Sequence, residues 1–227
     1  MKLNALKLAF PATLPVFTGY LFLGIGYGIL MNKSGLSLPL TIVMSSLVFT
    51  GAMQFASISL FLASFNPLSV IILAFMVNLR HLFYGISLLP KYKNLGFKKF
   101  FMIFALSDET FSINVATKIP ADINSSWFYF FVSLLDYLYW NVASILGFLL
   151  ASQIPNNIKG IDFVLTALFY VLFLNQWQVK QNRTYLLLGL ICTIVAMLLV
   201  GKTQFLLLSM VLLFVCIFVE YKREVNL

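Results

Sequence analysis

An arginine and the chain's one histidine stand side by side in VNLRHLFYG, residues 77–85, inside a stretch that is otherwise apolar from Pro67 to Leu89. The adjacent acids Asp108 and Glu109 lie in FALSDETFSIN, 104–114, and Asp136 lies in LLDYLYWN, 134–141. Such groups can bind a zwitterion, hold a coupling ion or carry a proton. Uncharged polar side chains accompany them. Ser46, Thr50, Gln54 and Ser57 follow offsets of four, four and three, which is one narrow stripe if SSLVFTGAMQFASIS, 45–59, is a continuous helix. Asn78, His81 and Gly85 share one helical face, and Arg80 and Tyr84, four residues apart, share another.

The surroundings set what these residues cost. The 227 residues are 61% hydrophobic and 10% charged, with a mean hydropathy of +0.98. One soluble core cannot hide that much apolar surface, so the composition predicts a polytopic membrane protein. Placing Arg near the centre of a membrane helix costs about 2.5–3.5 kcal/mol, and Arg80, Asp108, Glu109 and Asp136 in isolation would together cost on the order of 10 kcal/mol. They must therefore find partners or a watery cavity. An ion pair between Arg80 and one acid would serve structure alone, but it uses one acid of three, and the surplus points to proton or substrate handling. His81 reads equally as a proton carrier or a hydrogen-bonded packing residue.

Helices must position these groups, because backbone in lipid has to be satisfied within its own segment and no barrel-like alternation is present. About 20 apolar residues cross a bilayer. The sequence predicts an all-α transmembrane bundle with segments at about 11–31, 39–63, 67–89, 100–117, 127–150, 161–176, 184–200 and 204–220, some seven to eight in all, with room for broken or re-entrant pieces. The whole of 1–227 reads as a single membrane transport domain. Lys2 and Lys7 precede a run that contains Pro11 and Pro15 and lacks a small-residue cleavage site, so it reads as a retained first segment. Gly19, Gly24, Gly26 and Gly28 suit close helix packing or a kink beside a substrate path. Asp162 reads as a helix-capping residue. No sequence repeat is evident, although transporters often carry diverged inverted repeats.

The net charge of +8 lies mostly between apolar segments, where lysine and arginine set orientation. The loop with Lys91, Lys93, Lys98 and Lys99, the loop with Lys180 and Arg183, and the tail with Lys222 and Arg223 all favour the cytoplasm. Three predicted crossings separate the first two. Either one segment, 100–117 or 161–176, does not cross, or one loop disobeys the rule. No hydrophilic stretch is long enough to form a nucleic-acid surface. Cys192 and Cys216 have no metal-ligand spacing and read as small apolar residues; nothing in the sequence calls for a metal or an organic cofactor.

TGAMQFA at 50–56, NLRHLFYG at 78–85 and FALSDETF at 104–111, in that order and spacing, resemble the AzlC family of bacterial branched-chain amino acid transport proteins. DYLYWNVASILG at 136–147 and GIDFVLTALF at 160–169 extend the likeness over most of the chain. That family more often has threonine before the Asp–Glu pair; Ser107 keeps the hydroxyl. The resemblance implies a plasma-membrane exporter of leucine, isoleucine or valine, and a separate small membrane partner of the AzlD type. There is no G-x-x-x-x-G-K-[ST] loop, so the expected mechanism is secondary transport. In it Arg80 would face the substrate carboxylate or hold one acid in place. Asp108 or Glu109 would meet the ammonium group or a proton. Gln54, Thr50, Asn78 and Tyr84 would supply polar contacts. The alternatives are an intramembrane enzyme, which lacks an HExxH or GxSxG motif here, and a channel or scaffold subunit, which lacks filter-like repeats.

Overall fold

The computed structural model describes residues 2–62, 66–93, 95–154 and 183–225, together with a few positions between 166 and 180. The segment predicted at 161–176, Asp162 and most of the 160–169 motif lie outside the described residues. Two compact units are present, residues 1–165 and 166–227. Among the described residues the regular structure is helical. Four helical stretches are long and apolar enough to cross a membrane: Lys2–Lys33, Val70–Leu88, Ser125–Gln153 and Arg183–Gly201.

In the first unit, α1 (Lys2–Lys33) begins nine residues before the predicted segment and runs through Pro11 and Pro15. Each proline removes one ladder hydrogen bond. The carbonyls left without an amide are those of Lys7 and Pro11, while the Thr13 and Thr18 hydroxyls donate to the Phe10 (3.0 Å) and Pro15 (2.8 Å) carbonyls of neighbouring turns. Helix α4 (Pro67–Leu88) starts on a proline at its first position, with the Asn66 side chain accepting from the Leu68 amide at 3.1 Å. Helix α7 (Ser125–Leu150) is capped by Asn124, which accepts from the Trp127 amide.

Helices α1 and α7 lie parallel. Lys2 sits over the Trp127 ring, Phe17 contacts Tyr139, Gly24 faces Ala143, and Asn32 donates to the Phe148 carbonyl. Both therefore run from a Lys2 end to a Lys33 end. Helix α4 runs the opposite way, since its last residue, Leu88, is buried with Ala5, Ala9 and Phe128 at the Lys2 end.

The predicted segments 39–63 and 100–117 are not spanning helices. Each is broken and returns toward the end it came from. The first comprises α2 (Leu38–Val43), a π-helical turn (Met44–Val48), and α3 (Gly51–Leu62). The break is at Phe49, which has a left-handed backbone (φ 42°), so Ser46 and Thr50 do not share a helical stripe with Gln54. Past the break α3 turns back. The Gln54 amide donates to Ser45 Oγ (3.4 Å) and Phe55 packs on Tyr27 toward the Lys33 end. The second comprises α5 (Lys98–Phe104) and α6 (Asp108–Ala116). Ser107 caps α6, accepting from the Thr110 amide at 3.1 Å, and two acids fill the first turn; both features favour a new helix start over continuation. Lys98 at the start of α5 sits over Trp127, and the Asn114 carbonyl near the end of α6 accepts from Lys91 (2.6 Å), so both ends lie at the Lys2 end.

A spanning helix followed by a broken hairpin thus occurs twice in opposite orientation, as α1–α2–α3 and α4–α5–α6. This is the inverted repeat that residue identities do not reveal. With 100–117 folded back, two of the three crossings that the sequence placed between the Lys91–Lys99 loop and Arg183 would remain, an even number. Single cysteines placed at Phe97 and Asp122, both exposed, in a background lacking Cys192 and Cys216, are expected to react with an impermeant maleimide from the same side of the membrane. Labelling from opposite sides would mean that α5–α6 crosses.

The second unit contains α8 (Arg183–Val225), broken at Gly201, whose φ of 73° suits glycine. The break falls between the predicted segments 184–200 and 204–220. Leu186, Gly189 and Thr193 before it and Ser209 and Leu213 after it line one groove, so the two halves lie against each other. Cys192 is buried, as its apolar reading implies, and Cys216 is half-buried.

Candidate functional site

The two helix breaks meet on α7. Phe49 at the first break and Phe104 at the second both pack on the Tyr137 ring, with centroids 5.0 and 6.1 Å away. The Tyr137 hydroxyl donates to the Ser46 carbonyl (3.0 Å), and Ser46 donates to Asn141 Oδ1 (2.9 Å). Around this point the hairpin tips interrupt the helical ladder halfway along the spanning helices, which irregular backbone can do only where protein or water satisfies it.

Arg80 on α4 pairs with Asp108 at the start of α6, Nη1 to Oδ2 at 2.9 Å. Their side chains are 36% and 29% exposed, so the pair is reachable rather than sealed in a core. Each partner also keeps an unused site: Arg80 Nε and Asp108 Oδ1 are buried and have no hydrogen-bond partner. Glu109 points elsewhere, with Oε2 2.7 Å from the Tyr20 hydroxyl of α1. Tyr20 also lies 2.8 Å from Ser107 Oγ, Ser107 lies 3.0 Å from Thr110 Oγ1, and the Thr110 hydroxyl donates to Asp136 Oδ2 at 2.7 Å. Asp136 is fully buried. The three acids therefore do not share one partner. One pairs with the guanidinium, and the other two terminate a line of hydroxyl groups.

The remaining candidates separate. Gln54 is fully buried between the Trp140 indole, which donates to its Oε1 (2.8 Å), and Ser45. Gly51 lets that indole approach, because a Cβ there would lie 3.1 Å from the ring. Thr50 donates to the Val48 carbonyl within the break (3.0 Å). Asn78 donates to Ala74 on its own helix, and His81 Nδ1 lies 3.2 Å from the Asn78 carbonyl. Tyr84 stacks on Phe111 of α6 at 4.4 Å, with His81 edge-on to it, so this face of α4 holds α6 in position. Outside the spanning helices, burial pushes the Tyr92 phenol up to about 12 although the Asn114 amide, donating to it at 2.8 Å, pulls the other way. Among the described residues no group of His, Cys, Asp and Glu is arranged to hold a metal ion.

The broken hairpins and the paired charges coincide with the part of the chain that known proteins share. The family described as AzlC protein matches residues 15–154, which enclose both breaks and every charged residue of the site. The chain belongs to the AzlC family. The Bacillus subtilis protein named Branched-chain amino acid transport protein AzlC is 44% identical over 206 residues, covering 91% of this chain and 81% of that protein. A Haemophilus influenzae protein named Uncharacterized membrane protein is 38% identical over 92% of this chain and 86% of its own length. A Helicobacter pylori protein of the same description is 34% identical over 97% of both chains. No solved structure matches. AzlC membership supports a transport role, and membrane residence agrees with the apolar helices.

One residue of the hydroxyl line had no signal in its own residue type. Tyr20 reads as one aromatic among many in an apolar helix. Its spacing does carry information: Tyr20, Gly24 and Gly28 fall four residues apart on the face of α1 that meets α7, so a tyrosine on that stripe must direct its hydroxyl into the bundle.

Proposed function

We propose that the chain is a secondary transporter that exports branched-chain amino acids across the cytoplasmic membrane of its bacterial host, working with a small membrane partner of the AzlD type. The observation that carries this reading is the partly exposed Arg80–Asp108 pair at the tip of a broken hairpin, whose buried Arg80 Nε and Asp108 Oδ1 have no partner among the described residues. A zwitterion matches that pair in charge: its carboxylate suits the guanidinium and its ammonium the Asp108 carboxylate, and a shift of the hairpin would uncover the two unpartnered atoms. The relative named for branched-chain amino acid transport supports an aliphatic side chain, and Phe49, Phe104 and Tyr137 offer it apolar surface between the tips. Opposed broken hairpins meeting on a spanning helix suit alternating access, since either hairpin can shift while the other stays seated.

Lys2, Lys7, Lys91, Lys93, Lys98, Lys99 and Lys118 gather at the Lys2 end, against Lys33 at the other, so the positive-inside rule puts the Lys2 end in the cytoplasm. No step calls for a reacting covalent bond, which favours transport over an enzyme. The test is counterflow of labelled leucine into proteoliposomes holding the chain with and without its partner, beside resistance of expressing cells to a toxic leucine analogue. Absence of counterflow in both preparations, with folded protein present, overturns the reading.

A further inference from the structure

Glu109, Tyr20, Ser107, Thr110 and Asp136 form a line of four oxygen–oxygen contacts of 2.7, 2.8, 3.0 and 2.7 Å that joins a half-buried carboxylate to a fully buried one. The three links between the carboxyls are hydroxyl groups, and a hydroxyl has one hydrogen to donate. Tyr20 lies within reach of both Ser107 and Glu109 but can donate to only one, so it must accept from the other. The same count holds at Ser107 and Thr110. Three hydroxyl hydrogens cannot fill four contacts. Where each of the four contacts is a hydrogen bond, the fourth hydrogen comes from one of the two carboxyl groups, and from one alone, because two would force hydrogens against each other. The Thr110 amide, which also donates to Ser107 Oγ, occupies the second lone pair of that oxygen and leaves the count unchanged.

We propose that these five side chains are a proton site that holds one transferable proton between Glu109 and Asp136 and thereby couples transport to proton movement. This rests on the transport reading above, whose coupling ion it names. In one arrangement the Glu109 carboxyl donates to Tyr20, Tyr20 to Ser107, Ser107 to Thr110, and Thr110 to the Asp136 carboxylate. In the other every donor is reversed. Passing between them, Glu109 gives its proton to the Tyr20 oxygen and Tyr20 gives its own to Ser107. Ser107 then gives to Thr110, and Thr110 to Asp136. Each hydroxyl ends with one proton, no electron leaves its atom, and the single negative charge moves from Asp136 to Glu109.

A second observation is independent of the line itself. Asp136 Oδ1 is buried and has no donor among the described residues, and there the one hydrogen bond to this carboxyl comes from Thr110, so the line is its route for a proton. The other titratable groups facing the line are Asp108 beside Glu109 and Tyr84 on α4, and Arg80 and His81 reach it only through Asp108. A substrate ammonium arriving at Asp108 favours the arrangement with the negative charge on neighbouring Glu109, which sends the proton to Asp136. Substrate occupancy and proton position are then linked in both directions.

The test uses the full chain in proteoliposomes that contain a pH-sensitive dye. Wild type is expected to move protons on leucine addition. Tyr20→Phe keeps the ring against Trp140 but cuts the line, and it should lower protons moved per leucine by about tenfold or more while leucine counterflow falls by no more than about threefold. An unchanged ratio in Tyr20→Phe, or wild-type counterflow without proton movement, overturns the relay. Absence of wild-type counterflow overturns the transport reading instead, and the relay is then decided by infrared spectroscopy. The carboxyl band of one protonated acid should be present in wild type and lost in both Glu109→Gln and Asp136→Asn, because each new amide supplies the fourth hydrogen. Its persistence in both variants overturns the relay.

Discussion

Asp108→Asn is expected to remove leucine transport almost completely while leaving the protein folded. The pair it breaks is close, at 2.9 Å, but both side chains are only partly buried and asparagine keeps the shape and an accepting oxygen, so the loss of fold stability is small beside the loss of a site. Truncating one partner of a hydrogen-bonded charge pair in a binding site costs about 2–4 kcal/mol, and that corresponds to a fall of roughly 30- to 1,000-fold in the transport rate at limiting substrate. Arg80→Gln should behave alike, because a zwitterion needs both charges. Size-exclusion chromatography and melting of the purified variants check the fold, and initial rates of leucine counterflow check the site.

The double variant Arg80→Gln, Asp108→Asn separates the two roles the pair can have. If it serves structure only, replacing both charges by neutral groups of similar shape restores what the single changes lose, since an ion pair removed whole is often nearly neutral for stability. If it binds substrate, the double variant folds at least as well as either single one and still fails to transport. Normal leucine counterflow in the double variant would reduce the pair to a structural contact and leave the substrate site elsewhere.

Hydropathy and residue type made the class of the protein, α4, α7 and the pairing of Arg80 with an acid readable, because each follows from a quantity that sums along the chain or from the cost of one charge. The helix breaks are a different kind of fact. Phe49 adopts a left-handed backbone although nothing in its side chain asks for it, and the local reason lies in what surrounds it: the Tyr137 ring packs against it at a tilt and its hydroxyl donates to the Ser46 carbonyl. A window averaged over 39–63 is apolar on balance and reports one long helix. The second break was closer to legible, since Ser107 followed by Asp108 and Glu109 has the composition of a helix start placed where a spanning helix should have its middle. Its acidic centre already made 100–117 a candidate for not crossing. The polar residues of segment two were visible as polar, but the break scattered their predicted stripe. Gln54 is enclosed by Trp140, a residue 86 positions away, which no local pattern specifies.

The α1–α7 seam gives the largest expected effect on folding. A Cβ on Gly28 would press on the Ser144 carbonyl oxygen and lie 2.9 Å from the Gly147 carbonyl carbon. One on Gly147 would press on the Ile25 carbonyl and lie 2.6 Å from Ile25 Cα. These obstacles are backbone, which cannot rotate away, so Gly28→Ala or Gly147→Ala must part the helices that carry Tyr20, Asp136 and Tyr137. Overpacking commonly costs 1–3 kcal/mol, and with backbone on the far side about 3 kcal/mol or more is expected here. Gly24 differs, because the severe contact of its Cβ would be the Ala143 Cβ at 2.6 Å, a side chain, with the backbone of Ala143 and Ser144 farther off at 3.3 and 3.2 Å. Ala143→Gly should therefore rescue most of the melting temperature lost in Gly24→Ala, whereas it should do nothing for Gly28→Ala. Gly19→Ala, with nothing within 4 Å of the added carbon, should be neutral or slightly stabilising. Equal melting temperatures for the Gly19 and Gly28 variants would show that the two helices do not pack backbone to backbone, and the hydroxyl line that spans them would lose its support.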